Sequence, residues 1–225
     1  MPTLITWNMQ GSNAATDVKW VTNVQNMLTG GADILCLQEC GAPPPSARVQ
    51  QINLAANPNF TLYTWGGTSR VPPTYISYYF WDIAGNRVNF AIVTKAQPAN
   101  HFCGYPNGGP VLRPYIGIGL NNVSYFCLHA ISPTGVDAPG LLAEAAATAT
   151  GAGAPWFVAG DFNRAAQGQP PLQPGTYCPP NGNTYPVSLH PTRCIDYMYR
   201  SANQAIQGVV LDVNTSDHYP VRYTI

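Results

Sequence analysis

The chain has 225 residues, with ten basic and ten acidic side chains and a formal net charge of zero at pH 7. That balance excludes a protein that attracts nucleic acid or anionic membrane through a diffuse positive field, so any polyanion must be held by a few placed arginines. No run of about 18 apolar residues predicts a transmembrane segment, and the first residues lead into a strand without the basic, apolar leader of a secretory signal.

The first part of the chain predicts a strand, a helix and a second strand in succession. Residues 3–9 alternate like a half-buried strand, and residues 32–39 form an apolar run that ends at a carboxylate. Between them, residues 17–28 follow a helical spacing, with Thr16 as N-cap and Gly30 as the stop. The apolar face of this predicted helix consists of Val18, Val21, Val24, Met27 and Leu28.

The remaining elements alternate between β-rich runs and helical ones. A weaker helix is predicted at residues 46–55 and an alanine-rich helix at residues 135–150. Hairpin turns are indicated by Ala84-Gly85-Asn86 and by Asn121-Asn122. Strands are predicted at residues 60–65, 74–82, 87–95, 111–120, 123–129, 156–161, 195–199, 208–213 and 219–225.

No internal repeat, linker or charged tail divides the chain, so residues 1–225 are expected to form a single domain. The order of elements predicts an α/β protein in which two β-sheets pack face to face and helices cover their outer faces. The segment from Gln167 to Pro186 is rich in proline and glycine and is expected to be an irregular excursion between strands.

The apolar run that begins at Trp156 stops abruptly at Asp161 and Asn163. Because residues i and i+2 of a strand point to the same face, both side chains are expected to project together from its end. A carboxylate at the end of a core strand is costly to bury unless a metal, a cation or a proton compensates it, which favours a chemical role. For this motif taken alone, a strand end followed by an Asx turn remains the alternative.

Other buried strands also end in polar or ionisable side chains. A single residue of this kind is most simply a turn or cap residue. Six strands that each deliver one as they leave the core favour a catalytic centre instead. These residues are Asn8, Glu39, His129, Asp161 with Asn163, Asp196, and Asp217 with His218.

Three of these residues predict a magnesium site. Mg²⁺ prefers oxygen ligands and keeps several of its waters, so Glu39 is expected to bind it together with Asn8 and Asp217. The six cysteines lack paired C-x-x-C spacing, which argues against a zinc site. The predicted cofactor is therefore a hard divalent cation, Mg²⁺.

The other residues of the set suit acid–base chemistry at a phosphoester. Asp161, oriented by Asn163, is expected to deprotonate the attacking water. His129 and His218 are expected to protonate or stabilise the phosphate oxygens, and Asp196 to hold one imidazole in its working tautomer. The set as a whole predicts metal-assisted phosphoester hydrolysis.

The cysteines divide into two groups by sequence context. Cys36 and Cys127 lie in apolar strand-like runs and are expected to be small core residues. Cys103 and Cys178 lie in segments rich in glycine and proline, where a disulfide between them is expected if the protein meets an oxidising compartment.

At these residues the chain resembles the endonuclease/exonuclease/phosphatase superfamily of deoxyribonuclease I-like enzymes, and within it a toxin branch of nucleases. The matching motifs run in family order across nearly the whole chain. They include Trp7-Asn8, Gln38-Glu39, Gly160-Asp161-Phe162-Asn163, Ser216-Asp217-His218, and, for the toxin branch, Gln10-Gly11-Ser12 and Gly85-Asn86-Arg87-Val88-Asn89. Between Asn163 and Asp196 the chain departs from the family pattern, because this segment is shortened and rebuilt with proline, glycine and two cysteines.

The resemblance implies a four-layered α/β sandwich, Mg²⁺-dependent phosphodiester hydrolysis, and acid–base histidines at His129 and His218. It also implies that Arg87 and Arg113 bind substrate phosphates, a role that suits the bidentate guanidinium. Replacement of either arginine is then expected to weaken cleavage, whereas Lys19→Ala is expected to do little.

Three functions remain open from the sequence. The first, implied by the resemblance, is a DNA endonuclease: a secreted genotoxin that acts inside target cells, in the nucleus, with delivery subunits as partners. The second is a phosphatase for inositol phospholipid headgroups on the same scaffold. The third, a catalytically silent binding module, is disfavoured because every catalytic residue type is present.

Overall fold

The computed structural model describes residues 1–11, 18–81, 88–106, 113–151, 154–167, 175–187 and 190–225. A π-helical segment at Lys19–Val24 continues into α1 at Gln25–Thr29, a 3-10 turn occupies Leu54–Ala56, and α2 spans Ala138–Gly151. The strands are β1 (Thr3–Asn8), β2 (Ile34–Gln38), β3 (Arg48–Gln51), β4 (Phe60–Trp65), β5 (Thr74–Tyr79), β6 (Phe90–Thr94), β7 (Asn100–Gly104), β8 (Tyr115–Leu120), β9 (Val123–His129), β10 (Trp156–Asp161), β11 (Thr176–Cys178), β12 (Asp196–Arg200), β13 (Val209–Val210) and β14 (Val221–Thr224).

The strands form two sheets. The larger has eight strands in the order β13-β14-β1-β2-β6-β5-β4-β3, and the smaller has six in the order β11-β12-β10-β9-β8-β7. β1 pairs in parallel with β2, and β9 with β10. The other strand pairs are antiparallel. The prediction of two β-sheets is therefore confirmed, and both sheets are mainly antiparallel.

Three apolar clusters pack the two sheets against each other and the helices against the sheets. One cluster lies between the sheets and contains Cys36 and Cys127, as predicted for these two cysteines. A second packs Trp20 of the first helical segment against the outer face of the larger sheet. A third packs Leu141 and Ala145 of α2 against the outer face of the smaller sheet. The succession of helix, sheet, sheet and helix is the expected four-layered α/β sandwich. In the part of the chain that the structure describes, no helix has both the length and the apolar character needed to cross a membrane.

The first helical segment buries only part of the predicted face, since Val24, Met27 and Leu28 are buried as predicted. The prediction places Val18 and Val21 in the core, but they are 62% and 49% exposed, while Lys19 and Trp20 are buried. The segment opens with a π-helical turn, whose hydrogen bonds span five residues instead of four. A spacing of 3.6 residues per turn therefore does not identify the buried residues at the start of the segment. The predicted N-cap, Thr16, lies outside the described residues.

Several other elements correct or confirm the sequence prediction. The helix predicted at residues 46–55 is wrong, because the backbone there pairs with β4 to form β3, an edge strand of the larger sheet. The edge strands β7 and β11 were not predicted. Asn121 and Asn122 have φ of 53° and 60°, which confirms a tight hairpin turn between β8 and β9. The turn predicted at residues 84–86 lies outside the described residues.

The predicted disulfide between Cys103 and Cys178 is wrong. These cysteines lie on β7 and β11, which are the two opposite edges of the six-stranded sheet. Adjacent strands are about 4.8 Å apart, so the five strand-to-strand steps separate the cysteines by roughly 24 Å, whereas a disulfide requires Cα atoms within about 7 Å. Both are free thiols. Their sulfurs accept hydrogen bonds of 3.3 Å from Asn57 Nδ2 and from the backbone N–H of Ile206.

Candidate active site

Strand direction brings the predicted site residues to one edge of the sandwich. β1 and β2 run parallel, so Asn8 and Glu39 leave the larger sheet at the same end. β9 and β10 also run parallel, and their last residues, His129 and Asp161, lie side by side. Asp196 pairs with Asp161 across β10 and β12.

Three of the residues reach this edge by a route that the sequence did not predict. Asp196 begins β12 instead of ending a strand, and Asp217 and His218 precede β14. β12 and β14 run antiparallel to β10 and β1. Because antiparallel neighbours place opposite ends together, the amino ends of β12 and β14 meet the carboxyl ends of β10 and β1.

Asp161 lies at the centre of this polar cluster and is almost fully buried. Its Oδ2 accepts hydrogen bonds from Asn8 Nδ2 at 3.1 Å and from Asn163 Nδ2 at 3.2 Å, and its Oδ1 accepts the backbone N–H of Asn163 at 2.8 Å. The Nε2 atoms of His129 and His218 lie 3.5 and 3.8 Å from Oδ2. The carboxylate is thus fixed by two asparagines and faced by two imidazoles.

The protonation of Asp161 is poised near neutral pH. Burial, together with repulsion from the Asp196 carboxylate, raises the pKa of Asp161 to about 7, against the lowering effect of His218 and of the donated hydrogen bonds. Asn163 has a φ of 50° and donates a further bond from Nδ2 to the Ala130 carbonyl oxygen at 2.9 Å. Its amide therefore holds a set orientation beside a carboxyl group whose pKa suits proton exchange.

Asp196 and His218 form a buried carboxylate–imidazole pair. His218 Nδ1 lies 2.8 and 3.1 Å from the two carboxylate oxygens of Asp196, which is fully buried. Burial by itself would lower the pKa of His218, but the charge and hydrogen bond of Asp196, with the charges of Asp161 and Asp217, raise it to about 9. The imidazole is therefore protonated at neutral pH, with Nε2 on the side of Asp161.

Glu39 reaches the cluster from the larger sheet. Its Oε1 accepts a hydrogen bond from Asn8 Nδ2 at 3.4 Å and lies 3.7 Å from His129 Nε2. The backbone φ of Glu39 is 46°, a left-handed conformation that is uncommon for residues other than glycine, asparagine and aspartate. Strain of this kind is concentrated at functional sites, so the backbone supports a functional role for this residue.

Asp217 lies where the segment after β1 contacts the segment before β14. Its backbone N–H donates to Gln10 Oε1 at 3.1 Å, and Ser216 Oγ donates to the Asn8 carbonyl oxygen at 2.7 Å. Asp217 Oδ1 lies 3.9 Å from His218 Nε2. These contacts join the loop after β1 to the segment before β14 and bring Asp217 to the same cleft as Asn8.

Lys19 is buried beside this edge, with only 6% of its surface exposed. Its Nζ donates to the carbonyl oxygens of Met9 and Gln10. Burial lowers the pKa of Lys19, while the carboxylates of Asp217 and Glu39 act in the opposite direction. A buried lysine with two backbone acceptors is not a solvent-exposed charge, so Lys19→Ala is expected to lower stability, while its small effect on cleavage stays a prediction.

A cleft of about 350 Å³ opens over the cluster. Of the predicted site residues that the structure describes, all but the buried Asp196 line it. Arg113 is among them, and its Nη1 donates to the Ala130 carbonyl oxygen at 2.9 Å. Arg87, the other predicted phosphate ligand, lies outside the described residues. The predicted residues that can be placed therefore converge on one cleft.

Tyr185 and Arg193 are among the residues of the cleft wall that sequence reasoning missed. The Tyr185 ring centroid lies 4.6 Å from that of His218, and Arg193 Cζ lies 5.8 Å from the Tyr185 centroid. The sequence signal that could have identified Arg193 was its position three residues before Asp196 in a chain with only ten basic side chains.

Two sets of residues in the cluster could hold a metal ion. Asp161, Asp196 and His218 each bring one ligand atom within 4.8 Å of the others, but the bond between Asp196 and His218 Nδ1 already engages two of those side chains. In the second set, Glu39 and Asp217 line the cleft with carboxylates, whereas Asn8 directs its Nδ2 to Glu39 and Asp161 and its Oδ1 accepts the backbone N–H of Gln10 at 2.9 Å. Hard divalent cations prefer oxygen, while imidazole suits softer ions, so the second set fits Mg²⁺ better.

Comparison with known proteins gives a consistent result. Residues 5–218 match the model of the Endonuclease/Exonuclease/phosphatase family. The chain is 38% identical over 176 residues to a Salmonella typhi homolog of CdtB, a subunit of cytolethal distending toxin; the match covers 72% of this chain and 63% of that protein. It is 35% identical over 173 residues to the same toxin subunit of Escherichia coli, with coverage of 71% and 63%. The match thus spans somewhat less than two thirds of the length of these relatives.

The fold comparison extends over a larger share of both chains. The crystal structure of the Haemophilus ducreyi cytolethal distending toxin matches with a TM-score of 0.87 at 30% sequence identity. The match covers 99% of this chain and 97% of that one. The similarity therefore includes the strands that carry the cluster in both sheets.

Proposed function

The chain belongs to the endonuclease/exonuclease/phosphatase family, and from this premise we propose that it is a Mg²⁺-dependent phosphodiesterase that nicks DNA. The observation that carries the proposal is the environment of Asp161, a buried carboxylate held by two asparagines and faced by two histidines. We further propose that residues 1–225 act as one catalytic domain, in keeping with the extent of the family match.

Asp161 is the proposed general base. In this role its carboxylate takes a proton from a water molecule, and the hydroxide attacks phosphorus opposite the leaving oxygen. The hydrogen bonds from Asn8 and Asn163 keep the carboxylate oriented while the proton moves. A pKa of about 7 suits this task, because the group is substantially ionised near neutral pH and still basic enough to accept a proton.

The two histidines are proposed to stabilise charge on the phosphate oxygens. His218, protonated at neutral pH through its contact with Asp196, presents an N–H donor to the negative charge that develops in the transition state. His129, whose Nε2 lies 3.5 Å from Asp161, faces the same space. One of these donors supplies the proton that the leaving oxygen takes up, and Asp196 acts by positioning His218 rather than by contacting the substrate.

Glu39, Asn8 and Asp217 are the residues proposed to hold Mg²⁺. When bound, the cation would supply charge neutralisation at the phosphate and leaving oxygens. The chain keeps these ligands in place through its own contacts: Asn8 Nδ2 donates to Glu39 and to Asp161, and Gln10 holds the backbone of Asp217. The set contains two carboxylates and no thiolate or imidazole, which supports magnesium over zinc.

Substrate binding is assigned to placed arginines. Arg113 lines the cleft and is fixed by its bond to the Ala130 carbonyl oxygen. We propose that it binds a phosphate through its charged N–H groups, together with Arg87, whose role rests on the sequence motif alone. With a net charge of zero, the chain depends on such single cations to hold a polyanion.

The biological setting is also a proposal. The relatives named above are toxin subunits, and the likeness to them supports a toxin component. We propose that this component is secreted and acts inside target cells, on nuclear DNA, with delivery subunits as partners. Inositol phospholipid headgroups are the competing substrate, because the same residues would hydrolyse a phosphomonoester.

The test compares both substrates with one protein preparation. Supercoiled plasmid and vesicles that contain inositol phospholipids are each incubated with the protein, with Mg²⁺ and with excess chelator. We expect open-circular plasmid with Mg²⁺, none with chelator, and only background phosphate release from the lipid. Nicking in excess chelator would contradict the metal assignment, and phosphate release from lipid without nicking would contradict DNA as the substrate.

A further inference from the structure

Tyr185 and Arg193 are held side by side by a narrow antiparallel bridge in the segment between Asn163 and Asp196. The backbone N–H of Arg193 donates to the Tyr185 carbonyl oxygen at 2.8 Å, and the N–H of Tyr185 donates to the Arg193 carbonyl oxygen at 3.0 Å. Both side chains are partly exposed and line the cleft. The mechanism above uses neither of them.

The Tyr185 ring adjoins the reaction centre. Its centroid lies 4.6 Å from that of His218, with the two rings tilted by 43°, and His218 Nε2 is 3.8 Å from Asp161 Oδ2. The ring thus forms the wall of the cleft directly beside the place assigned to the reacting phosphate. A group attached to that phosphate would meet an aromatic surface.

Arg193 is anchored with its guanidinium beside the same ring. Its Nη2 donates to the carbonyl oxygens of Pro133 and Asn163, at 3.2 Å each, and its Cζ lies 5.8 Å from the Tyr185 centroid. A guanidinium carries five N–H donors in a rigid plane. Two bonds from one terminal nitrogen fix that plane while the group keeps donors for an anion.

An aromatic ring next to a fixed guanidinium matches the parts of a nucleotide. Bases stack on aromatic side chains regardless of their identity, and guanidinium groups bind phosphate through charge-assisted hydrogen bonds. We propose that Tyr185 and Arg193 form a subsite for the nucleotide next to the scissile phosphate, in which Tyr185 packs against its base or sugar and Arg193 binds its phosphate. This inference rests on the proposed nuclease function and names the part of the strand that the cleft holds beyond the reacting group.

Ligand binding tests the subsite without any turnover. Calorimetry in Mg²⁺ buffer measures Kd for thymidine 3′,5′-bisphosphate and for inorganic phosphate with the wild-type protein, Arg193→Met and Tyr185→Leu. Kd for the bisphosphate is expected to rise about tenfold in each variant, the size typical for the loss of one stacked base. Kd for inorganic phosphate is expected to change less than twofold.

Two control variants separate the subsite from general effects. Tyr185→Phe keeps the aromatic ring and is expected to bind the bisphosphate like the wild type. Arg48→Met removes an exposed arginine at the opposite end of the larger sheet, where Arg48 pairs with Thr64, and is expected to have no effect. Thermal midpoints show whether each variant is folded. If Arg193→Met does not fold, Arg193→Lys replaces it in the binding comparison, because lysine keeps the charge without the planar guanidinium.

The outcomes distinguish the subsite from the proposed function. Unchanged bisphosphate binding in both variants, or equal losses for bisphosphate and inorganic phosphate, would overturn the subsite. Tighter binding of inositol 1,4,5-trisphosphate that depends on the same two residues would also overturn it in favour of a lipid headgroup. If the expected binding pattern holds but the wild-type protein does not nick plasmid, the subsite stands and the proposed function fails.

Discussion

At the level of single residues, the cleft depends on a carboxylate that solvent does not reach. Asp196 is fully buried, and both of its oxygens lie within 3.1 Å of His218 Nδ1. An isolated charge would be costly to bury, so the carboxylate and the imidazolium stabilise each other. The contact also decides which ring nitrogen faces Asp161, and this makes Asp196 a positioning residue.

Asp196→Asn is expected to lower turnover by on the order of a thousandfold while the fold is kept, by analogy with triad carboxylates. Asparagine has the same volume but no charge, and its amide can donate a hydrogen bond and so select the wrong tautomer. Plasmid nicking and circular dichroism measure the two effects. Most of the activity surviving between pH 6 and 8, or a loss that comes only from unfolding, would show that Asp196 is merely structural.

The same substitution has a signature in the titration of His218. NMR of the metal-free protein should give His218 a pKa of about 9 in the wild type and a lower one in Asp196→Asn, where burial dominates. Because the folded-state pKa is above the ordinary value of 6.5, the stabilisation from the pair is fully present below that value and is lost as the pH rises through about 9. The difference in unfolding free energy between wild type and variant should shrink over that window.

Lys19→Met tests whether the buried ammonium holds the loop after β1. Methionine keeps the apolar stem but leaves the carbonyl oxygens of Met9 and Gln10 without the Nζ donor. We expect the free energy of unfolding to fall by about 1–3 kcal/mol, the usual cost of unsatisfied buried acceptors. Urea denaturation measures the change. The matched control is Lys95→Met, because Lys95 is a partly exposed lysine paired with Asp33 at 3.8 Å; equal effects would contradict a special role for Lys19.

At the level of elements, the contact between β9 and β10 sets the position of the proposed base. Gly160, which precedes Asp161, pairs with Leu128 in the parallel ladder. A Cβ atom at residue 160 would lie 2.0 Å from the Leu128 carbonyl oxygen and 2.9 Å from its carbonyl carbon. Since the obstacle is backbone and not a flexible side chain, only glycine allows β10 to approach β9 this closely.

Gly160→Ala is therefore expected to destabilise the protein by about 1–3 kcal/mol, the range for overpacking a well-packed core. It should also lower activity, because the displaced strand carries Asp161 away from His129. Gly151→Ala at the end of α2 is the control, since a Cβ there meets nothing within 4 Å. Urea unfolding and nicking assays on both variants check the prediction; a Gly160→Ala protein as stable as the control would contradict the close approach.

At the level of the whole molecule, the absence of net charge limits how a polyanion can bind. The chain has ten basic and ten acidic residues, and the described cleft wall contributes the guanidinium groups of Arg113 and Arg193. With Arg87 added, about three phosphates would be neutralised. The dependence of DNA affinity on salt should then be shallow, because few counterions are released.

We expect a plot of log affinity against log salt to have a slope of roughly −3, from about 0.9 per neutralised phosphate. Fluorescence anisotropy of a labelled duplex with the Asp161→Asn variant, between 50 and 200 mM NaCl, measures it. Adding Arg113→Ala to that variant should reduce the slope by about one, and Arg113→Ala alone should weaken cleavage about tenfold. A slope of −6 or steeper would indicate a diffuse basic surface instead of placed arginines.

Sequence alone determined the chemistry of the cleft because that chemistry is carried by residue types at strand ends. An apolar run that stops at Asp161 and Asn163 is visible without coordinates, and so are Glu39 after β2 and His129 at the end of β9. The family motifs follow the same positions. The fold class was therefore predictable, and of the candidate site residues that the structure describes, all but the buried Asp196 line one cleft.

Tertiary structure decided what depends on pairing across the chain. Local spacing placed Val18 in the core, but Val18 is exposed at the start of the π-helical segment, and Lys19 is buried instead, where its Nζ donates hydrogen bonds to the carbonyl oxygens of Met9 and Gln10. Cys103 and Cys178 looked equivalent in sequence, yet strand order puts them at opposite edges of a sheet. Tyr185 and Arg193 become neighbours only through a backbone bridge. In each case the physical reason is the same: hydrogen bonds between separate segments and the order of strands in a sheet decide which side chains meet, and the spacing of residue types along the sequence encodes neither.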